Sequence, residues 1–353
     1  MEYYSLDRIL ATKNTYNILI GQRSNGKSFQ VKMECVKEAF LGLGDLIYLR
    51  RYDLELKQDD VTDYFRDCPV SDITGGEYNF IDVFRKRIYL SVVDDDGNVE
   101  RGRCIGRCAS LSSSEHLKSV IQRGQYKNII YEEMCTTEGF LKNEPNKLMQ
   151  FVATVFGAQH TGRVWLIGNT ISRYNPYFYT WQLRGVQKMQ PGDLDLYEFT
   201  DNESGSKIKL AVEFCSSIKV SNKMYFGDAA AQITTGVWET ESQPQIPDDF
   251  KPFKVIYRIF LQQENFYFVL KVLKNKMKEY LLLVAPGEEK DGEHIKRKIS
   301  DKIVGDPLTT DKFIPLLQGD VLALELMKRG KVVFANNLTG TDYKTIMKNR
   351  RIV

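Results

Sequence analysis

Gly21-Gln22-Arg23-Ser24-Asn25-Gly26-Lys27-Ser28 fits the phosphate-loop pattern G-x-x-x-x-G-K-[ST] at every specified position. Asn17-Ile18-Leu19-Ile20 ahead of it reads as a buried strand. Phe29 to Phe40 behind it reads as a helix, with Val31, Cys35, Val36 and Phe40 at helical spacing. A strand feeding a glycine-rich loop that opens a helix is what polyphosphate binding requires. Backbone N–H groups curl around the anion, and the helix start adds partial positive charge. Gln22, Arg23, Ser24 and Asn25 would line the turn between Gly21 and Gly26. Lys27 would reach the β- and γ-phosphates of ATP, and Ser28 would offer its hydroxyl to Mg²⁺.

A chain of 353 residues is long for one hydrophobic core, so two domains are expected. No run of 18 apolar residues occurs, and Met1-Glu2-Tyr3-Tyr4 does not start a signal peptide. The expectation is therefore a chain without a membrane span. Six cysteines are scattered without paired Cys-x-x-Cys spacing and read as free thiols. The net charge of +3 is uneven: residues 245–353 hold 20 Lys/Arg against 14 Asp/Glu, a net of +6, which leaves −3 on residues 1–244. A basic C-terminal part is compatible with nucleic-acid contact.

The first two hundred residues alternate strand-like and helix-like segments, the pattern of an α/β protein with a central, mostly parallel sheet. Leu46 to Arg50 is a strand, residues 53–68 read as helix, and Ile88–Val93 with Val99–Ile105 read as a hairpin around Asp96-Gly97. Asn128 to Tyr131 and Arg163 to Asn169 are further strands, separated by a helix from Asn146 to about Gly157. The expected division is an ATPase domain over 1–200, a linker region over 201–247 and a smaller α+β domain over 248–353. An Ala229-Ala230-Ala231 run in the linker region suggests a short helix.

A phosphate loop alone says nucleotide, not reaction. Asn128-Ile129-Ile130-Tyr131-Glu132-Glu133 supplies an acid at a strand end, where Glu132 would orient Mg²⁺ and Glu133 would align an attacking water. Glu132 stands where Asp is usual. Asn169, at the tip of another strand, is the candidate γ-phosphate sensor. These acids favour water as the acceptor over a small-molecule kinase, or over a non-hydrolysing assembly protein that nucleotide merely stabilises. A motor would also need a cation from a neighbouring subunit; the candidates are Arg163 as arginine finger, then Arg173, Lys118 and Arg123. Candidate DNA contacts are Arg101, Arg103 and Arg107 on the hairpin and Lys57 beyond it, with Arg50-Arg51-Tyr52 as further possibilities.

Ile47-Tyr48-Leu49-Arg50-Arg51-Tyr52 with Glu55-Leu56, Ile129 to Glu133, Thr154-Val155-Phe156, and Gly168-Asn169 with Asn175-Pro176-Tyr177-Phe178 recur in order in one group. In these residues the chain resembles the phi29-type phage DNA-packaging ATPases, over roughly residues 5–185. The resemblance implies an additional-strand, catalytic-glutamate ATPase using ATP and Mg²⁺. It further implies a homomeric ring, usually a pentamer, that drives double-stranded DNA into a procapsid at the portal vertex. A structured packaging RNA is a further possible partner. Such a protein acts in the host cytoplasm, transiently on the procapsid, and is absent from the mature virion. The family's finger follows Thr-Val-Phe, where this chain has Gly157. The C-terminal domain would be a degenerate RNase H-like nuclease. The strands Lys254 to Phe260 and Phe266 to Leu273 carry no Asp or Glu, so no cleavage is expected.

Overall fold

A computed structural model describes residues 4–114, 124–136, 139–157, 162–170, 173–200, 205–216, 242–246, 253–263, 266–288, 297–300, 317–348 and 351–352. The chain divides into two units. The first comprises Met1–Thr136, Phe140–Ile171 and Asn175–Trp238; the second comprises Thr137–Gly139, Ser172–Tyr174 and Glu239–Val353.

In chain order the first unit runs α1 (Asp7–Leu10), β1 (Tyr16–Gly21), α2 (Lys27–Phe40), β2 (Asp45–Arg50), α3 (Gln58–Phe65) and α4 (Val70–Thr74). It continues with β3 (Phe80–Phe84), β4 (Arg87–Val93), β5 (Val99–Ser110), β6 (Tyr126–Tyr131), α5 (Glu144–Phe156) and β7 (Arg163–Asn169), and closes with α6 (Pro176–Thr180), β8 (Leu194–Thr200) and β9 (Lys207–Phe214). Its sheet has the order β3-β4-β5-β2-β6-β7-β1-β9-β8. The six central strands from β5 to β9 are mutually parallel. Antiparallel β3 and β4 flank them on one side and β8 on the other. The sheet is thus mixed, with a parallel middle.

The parallel strands are apolar on both faces because helices cover both. Ile18, Ile20, Ile129, Tyr131, Val164 and Leu166 bury against Leu148, Phe151, Val152, Val155 and Phe156 of α5. Leu19, Leu46, Tyr48, Ile130, Trp165 and Ile167 turn the other way, into a core shared with Val31, Cys35, Val36 and Ala39 of α2. Burial of each Val, Leu, Ile or Phe side chain among them contributes about 1.5–3 kcal/mol. The alternation thereby fixes which face each strand residue takes, and so where the strand tips aim their polar groups.

Two expectations change here. Lys207–Phe214, expected within the linker, is β9. It pairs in parallel with β1, Tyr16 opposite Leu210 and Ile20 opposite Phe214, so the sheet extends past residue 200. Turn-forming residues at 201–206 obscured an alternating strand behind them. The helix expected over 53–68 is interrupted. A 3₁₀ turn (Asp53–Glu55) precedes α3, because the Glu55 carboxylate turns back to accept from Tyr52 N at 2.7 Å and from Arg50 Nη2 at 3.0 Å. The hairpin forms as expected, with Asn98 N donating to Asp94 Oδ1 at 2.7 Å and Gly97 at φ +83°. Lys118, Arg123 and the Ala229–Ala231 run lie outside the described residues.

The second unit holds β10 (Lys254–Gln263), β11 (Phe266–Lys274), β12 (Tyr280–Pro286), β13 (Arg297–Ser300), α7 (Gln318–Lys328), β14 (Val332–Phe334), α8 (Asn337–Met347) and β15 (Arg351–Ile352). Its sheet order is β14-β12-β11-β10-β13-β15. Asn336 caps α8 by accepting from Thr339 N at 2.8 Å. All six cysteines are free thiols. No described helix is long and apolar enough to cross a membrane.

Candidate nucleotide site

β1 ends at Gly21, and α2 begins at Lys27 with Gly26 as its N-cap at φ +95°. Ser24 at φ +58° and Gly26 both occupy the left-handed region, which curls the intervening backbone into an anion-sized nest. Any residue with a Cβ is strained at the Gly26 angle. Gly26→Ala is therefore expected to lower stability by about 1–2 kcal/mol, read from thermal melts, with nucleotide affinity falling alongside.

Lys27 is buried, and its Nζ donates to Gln22 O at 2.6 Å, Asn25 Oδ1 at 3.1 Å and Asn169 Oδ1 at 3.5 Å. Burial lowers its pKa, against the opposing influence of Cys215, Glu132 and Cys135. Gly21 and Asn169 sit side by side on paired strands, so the loop and the candidate sensor meet. A cavity of about 610 Å³ opens over Ser24, Gly26, Lys27, Ser28, Lys32 and Asn169, within the range of small-ligand sites. Arg23 lies exposed at its lip. Gln22 Oε1 and Asn25 Nδ2 are buried in the loop without a hydrogen-bond partner among the described residues.

Glu132 is buried at the end of β6 and accepts from Tyr64 Oη at 2.6 Å. Burial raises its pKa; hydrogen bonds from Tyr64 and Ser28 and the charges of Arg50 and Lys27 pull the other way. Ser28 and Glu132, the two expected Mg²⁺ ligands, are thus near enough for Ser28 to favour the charged carboxylate. Glu133 points outward, its side chain 60% exposed, and pairs with Arg50 Nη2 at 2.8 Å. Its φ of +57° is the left-handed conformation that turns it away from its neighbour. The donor set of loop amides, an ammonium and a hydroxyl beside a carboxylate suits a triphosphate with Mg²⁺. Among the described residues no three His, Cys, Asp or Glu side chains converge. A Mg²⁺ here would thus rely on Ser28, Glu132 and substrate phosphates, as that ion commonly does.

The loop is braced from behind. Tyr4 N donates to Asn25 O at 3.1 Å and Cys215 N to Ile20 O at 2.8 Å. A Cβ at Gly21 would meet Cys215 O at 3.1 Å. Tyr4 Oη donates to buried Glu213 Oε2 at 2.7 Å. Burial raises the Glu213 pKa above 4.5, opposed by Tyr4 and Arg8. Between that ordinary value and its folded value the native state holds more protons, so this group's contribution to stability falls as pH rises. Glu213→Gln keeps an acceptor for Tyr4 and removes the slope. The variant is expected to gain on the parent as pH rises through this window, with a constant gap above it. Melts between about pH 4 and 8 check this; an equal gap at every pH contradicts it.

The remaining candidates fall elsewhere. Arg163 starts β7, about 20 Å along the strand from Asn169. It pairs with Glu38 and lies over the Trp165 ring, 5.5 Å from the centroid, away from the loop. Arg173 belongs to the second unit, where it pairs with Asp342 at 2.7 Å. Gly157 ends α5 at φ +64°. On β5, Arg101 pairs with Asp82 and lies over the Phe84 ring at 4.2 Å. Arg103 is exposed and donates to Phe40 O at 3.0 Å, while Arg107 is half-buried. Lys57 is exposed. Arg51 is a correction: it is 4% exposed and forked onto Glu144 through Nε–Oε2 at 2.9 Å and Nη2–Oε1 at 3.1 Å, so it cannot face DNA. Sequence reasoning missed Tyr64, Glu144 and Glu213 as supports of the site; each is brought there only by tertiary packing.

β7 stands between the loop strand β1 and the acid strand β6. The glycine-rich loop, an acid strand and one strand inserted between them form the order expected from the sequence for an additional-strand phosphate-loop fold. Residues 1–200 match the model of the family described as Podovirus DNA encapsidation protein (Gp16), and the chain belongs to that family. It is 29% identical over 177 residues to a DNA packaging protein of Bacillus phage B103, covering 49% of this chain and 48% of that one. To the DNA packaging protein of Bacillus phage phi29 it is 27% identical over 183 residues, 50% and 49% of the two chains. The chain spans about half the length of these curated relatives. In fold it is similar to a chain of the bacteriophage phi29 viral genome packaging motor assembly, with a TM-score of 0.52 at 18% identity over 95% of both chains.

Proposed function

We propose that this chain is an ATPase that drives double-stranded DNA into a phage procapsid, acting as a homomeric ring, a pentamer by family resemblance, at the portal vertex. The observation that carries the reading is the cavity lined by Lys27, Ser28 and Asn169, with Asn169 bonded to Lys27 and buried Glu132 close enough for its charge to act on Lys27. Family membership and the DNA-packaging names of the relatives supply the substrate.

In this reading the loop amides and Lys27 bind the β- and γ-phosphates, and Ser28 and Glu132 hold Mg²⁺. The ion, when bound, neutralises charge developing on the transferred phosphoryl group. Glu133, once released from Arg50, orients water and takes its proton. Asn169 ties Lys27 to the γ-phosphate position and reports its loss. A cation from a neighbouring subunit completes the site. Arg163 can serve only by leaving Glu38, and Arg173 only by leaving Asp342. Exposed Arg103 and Lys57 are the better placed DNA-backbone contacts, with Arg101 and Arg107 partly engaged. The C-terminal unit is read as a vestigial RNase H-like nuclease. Its three central strands β10, β11 and β12 carry no carboxylate, so it would dock on the portal or a packaging RNA rather than cut. The protein would act in the host cytoplasm and leave the filled head.

Phosphate release by purified protein, measured with and without procapsids and viral DNA, tests the reading. Stimulation that needs both is expected; ATP turnover indifferent to both sinks it.

A further inference from the structure

Glu144, the first residue of α5, has no exposed surface, yet its carboxylate collects five hydrogen bonds. Oε2 accepts from Arg51 Nε at 2.9 Å and Leu141 N at 2.8 Å. Oε1 accepts from Arg51 Nη2 at 3.1 Å, Tyr131 Oη at 2.6 Å and Tyr177 Oη at 3.0 Å. This anchorage fixes the Arg51 guanidinium, whose remaining donors reach the backbone. Nη1 donates to Glu133 O at 3.1 Å and Nη2 to Met134 O at 3.3 Å. Asn175 Nδ2 also donates to Met134 O, at 3.3 Å, and Met134 N donates to Ile167 O at 2.9 Å.

The segment so clamped is the one holding Glu133 at φ +57°, a conformation a non-glycine residue keeps only where its surroundings over-determine it. Arg50 and Arg51 leave β2 in opposite directions. Arg50 engages the Glu133 carboxylate, whereas Arg51 engages its carbonyl. We infer that Arg51, locked by Glu144, is the positioning residue that sets the direction in which Glu133 presents its carboxylate. This rests on the hydrolytic reading above, with Glu133 as the group that activates water. A lysine would keep the charge but not the fork that spans Glu144 and two carbonyls.

Arg51→Lys is therefore expected to lower kcat for ATP by about 100-fold, with KM and the affinity for a fluorescent ATP analogue nearly unchanged. In a Glu133→Gln background the same substitution is expected to have no further effect on single-turnover phosphate release. Glu144→Gln, close in shape, is measured alongside and is expected to give the same split if Arg51→Lys does not yield folded protein. Loss of analogue binding in step with kcat, or a multiplicative drop in the Glu133→Gln background, overturns the assignment. Full turnover by Glu133→Gln alone would instead count against the hydrolytic reading.

Discussion

Glu133→Gln is expected to lower ATP turnover by about 10³-fold while nucleotide binding persists. The side chain is 60% exposed and contacts neither Lys27 nor the phosphate loop in any described hydrogen bond, so its loss leaves the polyphosphate cradle intact. Glutamine preserves the bond from Arg50 and the left-handed backbone held by Arg51, but an amide cannot take a proton from water. Neighbouring Glu132 does not substitute, because it is buried and accepts from Tyr64. A coupled phosphate-release assay beside analogue binding separates the two effects. Loss of binding, or turnover near the parent's, would contradict the role.

Glu144→Ala is expected to destabilise the first unit by about 3–5 kcal/mol, because it leaves a buried guanidinium unpaired. Arg51, 4% exposed, would lose both arms of its fork, and Tyr131, Tyr177 and Leu141 N would each lose an acceptor. For a unit of this size the transition should fall by roughly 10 °C, read calorimetrically. Replacing Arg51 and Glu144 together with apolar residues of similar volume should recover much of that loss, since the pair's desolvation cost vanishes with its attraction. A shift of a degree or two for the single variant would show that Glu144 is not the anchor described.

The loop, its strand and its helix were legible in the sequence because their signals are local. Glycines mark the turn, branched apolar residues the strand, and the Val31–Phe40 spacing the helix. Glu132, Glu133 and Asn169 were legible because each directly follows or ends a buried apolar run. The supports were not. Nothing near Glu144 in sequence announces four donor groups from Leu141, Tyr131, Arg51 and Tyr177; they meet only when β2, β6, α5 and α6 pack. Arg51 looked like a surface cation for DNA because a buried charge cannot be told from an exposed one until its partner is found. β9 was hidden by its polar first half, Lys207 to Lys209, although Leu210–Phe214 is buried against β1. The motifs Arg50-Arg51-Tyr52 and Asn175-Pro176-Tyr177-Phe178 now have a physical content: both converge on the backbone carrying Glu133 and Met134.

The central claim, that water activated at Glu133 powers DNA movement, is tested most directly by the mass of nuclease-protected DNA in procapsids supplied with ATP. The parent protein and Glu133→Gln are compared side by side. Full protection with the parent and none with the variant, despite retained nucleotide binding, is the predicted result. Equal protection with both proteins would contradict it.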